Sequence, residues 1–454
     1  VPIPRLAGLR PPSFPGWNMS RAALLPGVPV LLDWALRSNI TEHARFTMST
    51  RQDILDRLQR RKHETALERE FYCGEEEYRL DLEMIWYRDW LFVGHDCEVP
   101  NPGNYLTVQI GEYPVVVVRD KNGELHAFHN ACRHRGSRIC SAERGSVTRL
   151  VCPYHQWTYH LDGRLFAARD MGAGFDRSQY GLHVVHCASV GGYIFVCLAK
   201  AAPDFEPIRR HIEPYFLPHN LQRSKVAFET TIVERANWKL VWENNRECYH
   251  CSANHPELIR TFPETPTITG VDGAESNPVI THKWAHWESL GLPSRFHLSD
   301  NGQYRTTRMP LIEGTVSFTM DGKAAVRRPL IDSIAEPDLG TLLLFHYPSI
   351  WNHVLADHAI SFRLLPVSPT ETLLTTKWLV HKDAVEGVDY DVKRMTEVWL
   401  ATNDSDRRVC QENQIGVNSP AYDPAPYSPV HEGGVIQFVD WYCGELEERL
   451  KQAL

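Results

Sequence analysis

Two short motifs constrain this chain more than anything else in it: C-R-H-R-G at 132–136 and C-P-Y-H-Q-W at 152–157. Each contributes one cysteine and one histidine, so Cys132, His134, Cys152 and His155 form a mixed set within one short stretch. Two thiolates on one iron and two imidazoles on the other describe a [2Fe–2S] cluster. Neutral imidazoles in place of two thiolates remove negative charge and raise the potential, from about −400 mV to between about −150 and +300 mV. Such a cluster moves single electrons to a stronger oxidant and inserts no oxygen itself. The chain should therefore carry a second redox centre.

Cys2His2 is also a zinc set. Zinc fingers usually group like ligands, however, whereas each half here supplies one of each. Both halves adjoin hairpin-like sequence: V-V-V-V-R-D-K-N-G-E-L-H-A-F turns at Asn122-Gly123, and W-T-Y-H-L-D-G-R-L-F turns at Asp162-Gly163. These features favour a Rieske-type cluster over zinc.

The length, 454 residues, implies more than one domain, and a formal charge of −8 argues against nucleic acid as a partner. Arg133, Arg135 and Arg138 form a local basic exception. They fit solvation of the cluster loop, or docking of an acidic electron donor. Eleven cysteines form no regular framework, so a reducing, cytoplasmic protein without structural disulfides is expected. No apolar run is long enough to span a bilayer. Residues 1–47 are Pro-rich and unpatterned, and read as an N-terminal extension or tag. Met48 opens a helical pattern, and residues 48–90 read as helices packing on the catalytic domain. Residues 91–200 alternate as short strands and form the cluster domain. Residues 201–454 form a second domain, with strands expected at 226–235, 315–320, 341–347, 359–367 and 371–380. Helices are expected at about 388–414 and 436–452.

The second centre is sought in N-W-K-L-V-W-E-N-N-R-E-C-Y-H-C-S-A-N-H-P, read as a helix that loosens near Pro256. His250 and His255 could face one point there, and a carboxylate would complete a 2-His-1-carboxylate triad for non-haem Fe(II). Asp406 in the late helix is the first choice and Asp404 the second. Cys248 and Cys251 admit a zinc reading, but a cluster's electrons need an iron destination, so the two cysteines read as packing residues on the helix. Glu247, three residues before His250, is expected on the same helical face, able to hydrogen-bond to a cluster histidine and form the electron path.

With both motifs on the page, the chain from about residue 49 to the end resembles the oxygenase α subunit of Rieske non-haem iron oxygenases. The resemblance implies an α+β fold: an all-β Rieske domain joined to a helix-grip (Bet v1-like) antiparallel-sheet domain. It implies that Cys132, His134, Cys152 and His155 bind the cluster, and that His250, His255 and Asp406 bind iron. It also implies a homotrimer in which an acidic bridge links one subunit's cluster to its neighbour's iron. Ring-hydroxylating members usually carry Asp where this chain has Glu247. That departure, with R-M-P-L-x-x-G-x-x-S-F-T-M-D-G at 308–322 and Q-E-N-Q-x-G-V-N-S at 411–419, resembles the branch oxidising quaternary ammonium compounds. Proline betaine (stachydrine) demethylation to N-methylproline and formaldehyde is the reaction it implies first, with glycine betaine or carnitine oxidation next. Aromatic-ring hydroxylation and simple electron carriage are the competing readings. With no dinucleotide fingerprint evident, NADH and flavin should act through a separate reductase. Aromatic faces hold a permanent cation, and candidates lie in W-A-H-W at 284–287, F-H-Y at 345–347 and Trp351.

Overall fold

Strand alternation and Gly-containing turns build the first half of the molecule. In the computed structural model, which describes residues 48–264 and 271–453, Tyr113–Arg119 pairs with Leu125–His129 across the Asn122-Gly123 turn. Gly123 takes a φ of +87° there, a conformation closed to most side chains. These strands belong to a seven-stranded antiparallel sheet. Its order is Leu91–His95, Tyr193–Cys197, Val184–Val190, Leu125–His129, Tyr113–Arg119, Asn104–Ile110 and Arg144–Ser146. A second, three-stranded sheet of Leu150–Val151, Thr158–Tyr159 and Leu165–Ala167 turns at Asp162-Gly163, where Gly163 has φ +84°. Val116, Val118 and Phe128 of the large sheet pack with Trp157, Tyr159 and Leu165 around Cys132 and Cys152. The expected extension, residues 1–47, lies outside the described residues.

The second half is another seven-stranded antiparallel sheet, in the order Ser224–Glu234, Glu371–His381, Ala359–Ser368, Ile350–Val354, Thr341–His346, Tyr304–Met309 and His297–Leu298. Helix Trp238–Asn245 contacts two of its strands, and the long helix Val392–Val417 packs on Ser224–Glu234 and on that shorter helix. The closing helix Gly433–Ala453 packs on Trp238–Asn245 as well. This sheet with helices against it is the expected antiparallel architecture. Phe92, Tyr193 and Phe195 of the first half share one apolar core with Leu342, Leu344, Ile350 and Leu379 of the second.

Two local expectations fail. No strand forms at 315–320, although T-V-S-F-T-M alternates. Gly314 and Gly322, at φ +82° and +70°, bracket a tight loop there, and the Ser317 hydroxyl donates to buried Asp357. The helix expected to run through His250 stops at Asn245, and a short helix, Cys251–Asn254, follows after a turn.

Candidate functional site: a cluster loop pair and a three-donor iron site

The two cluster motifs fold into matching loops. Cys132 N–H donates to Ser137 O at 2.9 Å, and Cys152 N–H to Trp157 O at 2.8 Å. Gly136 and Gln156, each four residues after the cysteine, donate back to its carbonyl at 2.8 and 3.0 Å. Both lie in the left-handed region, at φ +75° and +61°. Glycine adopts that conformation freely, and Gln156 is a non-glycine residue held there by its loop. The repetition presents both cysteines inward and both histidines outward: Cys132 and Cys152 are buried, His134 and His155 partly exposed.

The four side chains converge. The His134 and His155 ring centroids are 4.7 Å apart, and His134 stacks flat on Trp157. The Tyr159 hydroxyl lies 3.2 Å from Cys132 Sγ, placed to donate to a thiolate. Burial pushes the Cys132 thiol up, and the adjoining Cys152 adds to that. His134 Nδ1 is buried without a hydrogen-bond partner. An orphaned ring nitrogen beside two buried thiols is the donor set that a mixed-ligand [2Fe–2S] cluster uses.

The second site is tighter. His250 Nε2 lies 3.0 Å from His255 Nε2 and 3.2 Å from Asp406 Oδ1, and His255 Nε2 lies 2.9 Å from the same oxygen. Three ligand atoms on one face of an octahedron, at bond lengths of ~2.1 Å, stand ~3.0 Å apart. The triangle therefore fits one metal ion. Asp404, the alternative, is exposed and pairs with Arg407 instead. Asp406 reaches the site because the long helix presents that face inward, and Ser405 beside it contacts His255 Nδ1 at 2.8 Å.

Glu247 organises His250 from the turn rather than from a helix. One carboxylate oxygen accepts the Tyr249 and His250 backbone N–H groups, and the other accepts from His250 Nδ1. That bond fixes the tautomer and leaves Nε2 free for a metal. Burial alone would lower the His250 pKa. Asp406 and Glu247 overcome it and push the imidazole up to about 10. Burial likewise works against the Asp406 charge, but its hydrogen bonds with His250 and His255 hold the carboxyl below its ordinary range. With two carboxylates closing on one point, the pocket stabilises positive charge there, as a divalent cation requires.

Cys248 and Cys251 correct two expectations. They form a disulfide rather than helix packing, and the protein is not disulfide-free. The broken helix is the cause: the turn at 246–250 brings their Cα atoms to 4.9 Å, within disulfide reach. The other nine cysteines are free.

The triad opens onto a cavity of about 120 Å³. Phe345 and Trp351, two of the aromatic candidates, line it together with Phe262, His353, Trp399, Arg246 and Arg305, which sequence reasoning did not single out. Trp399 was findable, since it lies two helical turns before Asp406 on the same face. Trp284 and Trp287 pack in a separate apolar core.

Comparison with known proteins agrees with this geometry. The Rieske [2Fe-2S] domain matches residues 89–185, and the ring hydroxylating alpha subunit catalytic domain matches 221–448. The chain is 50% identical over 402 residues to the glycine betaine monooxygenase oxygenase subunit of Pseudomonas aeruginosa (strain UCBPP-PA14), covering 88% of this chain and 93% of that one. It is 48% identical over 410 residues to the subunit of the same name from Chromohalobacter salexigens, covering 88% and 90%. Among solved structures, the quaternary ammonium Rieske monooxygenase of a study on carnitine oxidation superimposes with a TM-score of 0.66 at 20% identity, over 86% of this chain and 98% of that one. Naphthalene 1,2-dioxygenase from Rhodococcus sp. gives 0.63 at 19% identity, over 88% and 98%. No helix among the described residues is long and apolar enough to cross a membrane. A Rieske domain, a ring-hydroxylase catalytic domain and half-identical relatives over nearly the whole length make one assignment: this chain belongs to the oxygenase α subunits of the Rieske non-haem iron oxygenases, enzymes that use a Rieske cluster and a mononuclear iron.

Proposed function

We propose that this chain N-demethylates a quaternary ammonium compound, with glycine betaine the favoured substrate. Half-identity to two glycine betaine monooxygenase oxygenase subunits supports that choice. Nothing in the comparisons points to proline betaine, the substrate expected first, and glycine betaine takes its place. In this reading Cys132, His134, Cys152 and His155 hold the cluster, and His250, His255 and Asp406 hold the iron. The observation that carries it is the triangle of three donor atoms 2.9–3.2 Å apart, opening onto an aromatic-lined cavity.

Ferrous iron held by His250, His255 and Asp406 would supply dioxygen activation, and a cluster held by Cys132, His134, Cys152 and His155 would supply electrons from a separate NADH- and flavin-dependent reductase. The chain's own residues set the conditions. Glu247 keeps the proton on His250 Nδ1, Ser405 contacts His255 Nδ1, and Phe262, Trp351 and Trp399 present apolar walls that exclude water from the substrate. One oxygen atom enters an N-methyl C–H bond; the other leaves as water with two electrons and two protons. The carbinol then collapses: its C–N bonding pair goes to nitrogen, and formaldehyde and a proton depart. Among the described residues, Glu247 bonds only within its own turn and touches no cluster histidine. The homotrimer, and Glu247 as the bridge to a neighbour's cluster, are carried by the family resemblance alone.

The test is an aerobic assay of the purified chain with a reductase and NADH. Formaldehyde released in step with glycine betaine consumed, and about three irons per chain, are expected. About two irons and no product would leave an electron carrier. Formaldehyde-free conversion of arenes would make it a ring hydroxylase.

A further inference from the structure

Two buried guanidinium groups, those of Arg246 and Arg305, line the cavity that holds the triad. Arg246 is 7% exposed and Arg305 is 4% exposed. Their guanidinium carbons lie 4.2 and 5.0 Å from the centroid of one ring, Phe345. Burial, and then the like charge of Arg246, drives Arg305 well below its ordinary range. Arg246 follows the helix end and precedes Glu247, yet the two side chains part company: Glu247 turns to His250 and Arg246 to Phe345. Among the described residues no carboxylate forms an ion pair with Arg246, and its Nε is buried without a hydrogen-bond partner. Gly434 fixes its place by close approach, since a Cβ there would stand 2.3 Å from Arg246 O and 3.2 Å from its guanidinium.

The guanidinium pair fits an occupant rich in acceptor atoms, above all a carboxylate, which takes charge-assisted hydrogen bonds. An arene offers none. A lone cation offers none either, and the arginine pair repels it. A zwitterion meets both conditions: its carboxylate answers the arginines over Phe345, while the aromatic side chains Trp351 and Trp399 line the same cavity for its methylated cation.

We propose that Arg246 and Arg305 bind the carboxylate of a zwitterionic substrate and thereby set the enzyme's specificity. This rests on the quaternary-ammonium reading above and adds the group that separates betaines from other methylated ammonium ions. The arginines select and orient the substrate, so that its N-methyl groups, not its carboxylate, approach the triad. Aromatic faces alone would admit any trimethylammonium compound.

The experiment compares glycine betaine, choline and tetramethylammonium, which share the methylated cation and differ in the anionic group. Binding to the iron-loaded enzyme is measured by calorimetry, and turnover by formaldehyde. The wild type should bind glycine betaine at least about 100-fold more tightly than choline, as a site built around a buried charge pair does. Arg246→Gln and Arg305→Gln should each raise KM and Kd for glycine betaine about 100-fold while moving the choline values little, with iron content unchanged. Arg246→Lys should recover part of the preference. Equal wild-type affinity for glycine betaine and choline overturns the proposal, and so does a preference that survives both glutamine variants. If Arg246→Gln fails to hold iron, Arg305→Gln and the wild-type preference decide. A wild type that neither binds nor oxidises any of the three compounds refutes the glycine betaine reading itself.

Discussion

At the scale of single residues, Glu247 has the sharpest consequence. Its carboxylate caps the turn and holds His250 Nδ1–H. Glu247→Gln keeps an acceptor for that proton but removes the charge. Both metals should stay bound, while coupled turnover falls about 10–100-fold, the usual cost of losing a group that orients a metal ligand. Iron analysis and the ratio of formaldehyde to NADH check this; a mutant with full coupled turnover would end the bridging role. The four candidate cluster residues were legible because their spacing is local: each cysteine and histidine sits in one self-contained loop. Asp406 was legible only through a helix pattern that offered two aspartates, and its solvent-facing neighbour Asp404 is engaged by Arg407. Arg246 and Arg305 were illegible, because a lone arginine in sequence carries no sign of what surrounds it.

Elements were readable where turn chemistry is strong and obscure where tertiary contacts decide. Asn122-Gly123 and Asp162-Gly163 announce their hairpins. The break after Asn245 has neither Gly nor Pro to signal it; the Glu247 side chain satisfies backbone N–H groups that a continuing helix would have used. Helix Trp238–Asn245, which leads into the site, is pinned by a buried charge. Lys239 and Asp81 form an ion pair at 0% side-chain exposure, and Asp81 also accepts from Trp238 Nε1 at 2.9 Å and the Tyr442 hydroxyl at 2.7 Å. Asp81→Asn strands the Lys239 ammonium in an apolar setting. It should destabilise the fold by roughly 3–5 kcal/mol, and adding Lys239→Met should restore part of that. Urea midpoints of the two variants measure both effects. A single mutant as stable as the parent would mean that water reaches Lys239.

For the molecule as a whole, the two matched domains were visible in the sequence, but not the way they join. Sequence pattern divides them near residue 200, whereas Phe92 and Tyr193 share a core with Ile350 and Leu379. A charge network crosses the same junction. Glu98, at 3% side-chain exposure, pairs with Lys377 at 2.6 Å from the second sheet and with Arg144 at 2.9 Å from the first, while Arg144 also pairs with Glu229. Burial works against the Glu98 charge, but Lys377, His95 and Arg144 overcome it and lower the carboxyl to about 2. Burial presses Lys377 down in turn, with Glu98 opposing. A carboxyl with a folded pKa below its unfolded value stabilises the fold above the unfolded value and loses that contribution as pH falls through the folded one. From an ordinary value of 4.5 down to about 2, the network should give up roughly 3 kcal/mol. The urea midpoint should therefore drop across this window in the parent. In Glu98→Gln it should start lower at neutral pH and lose correspondingly less on acidification, because the group that takes up the proton is gone. Parallel curves for the two proteins would show that other carboxylates govern acid unfolding and that the junction rests on its apolar core.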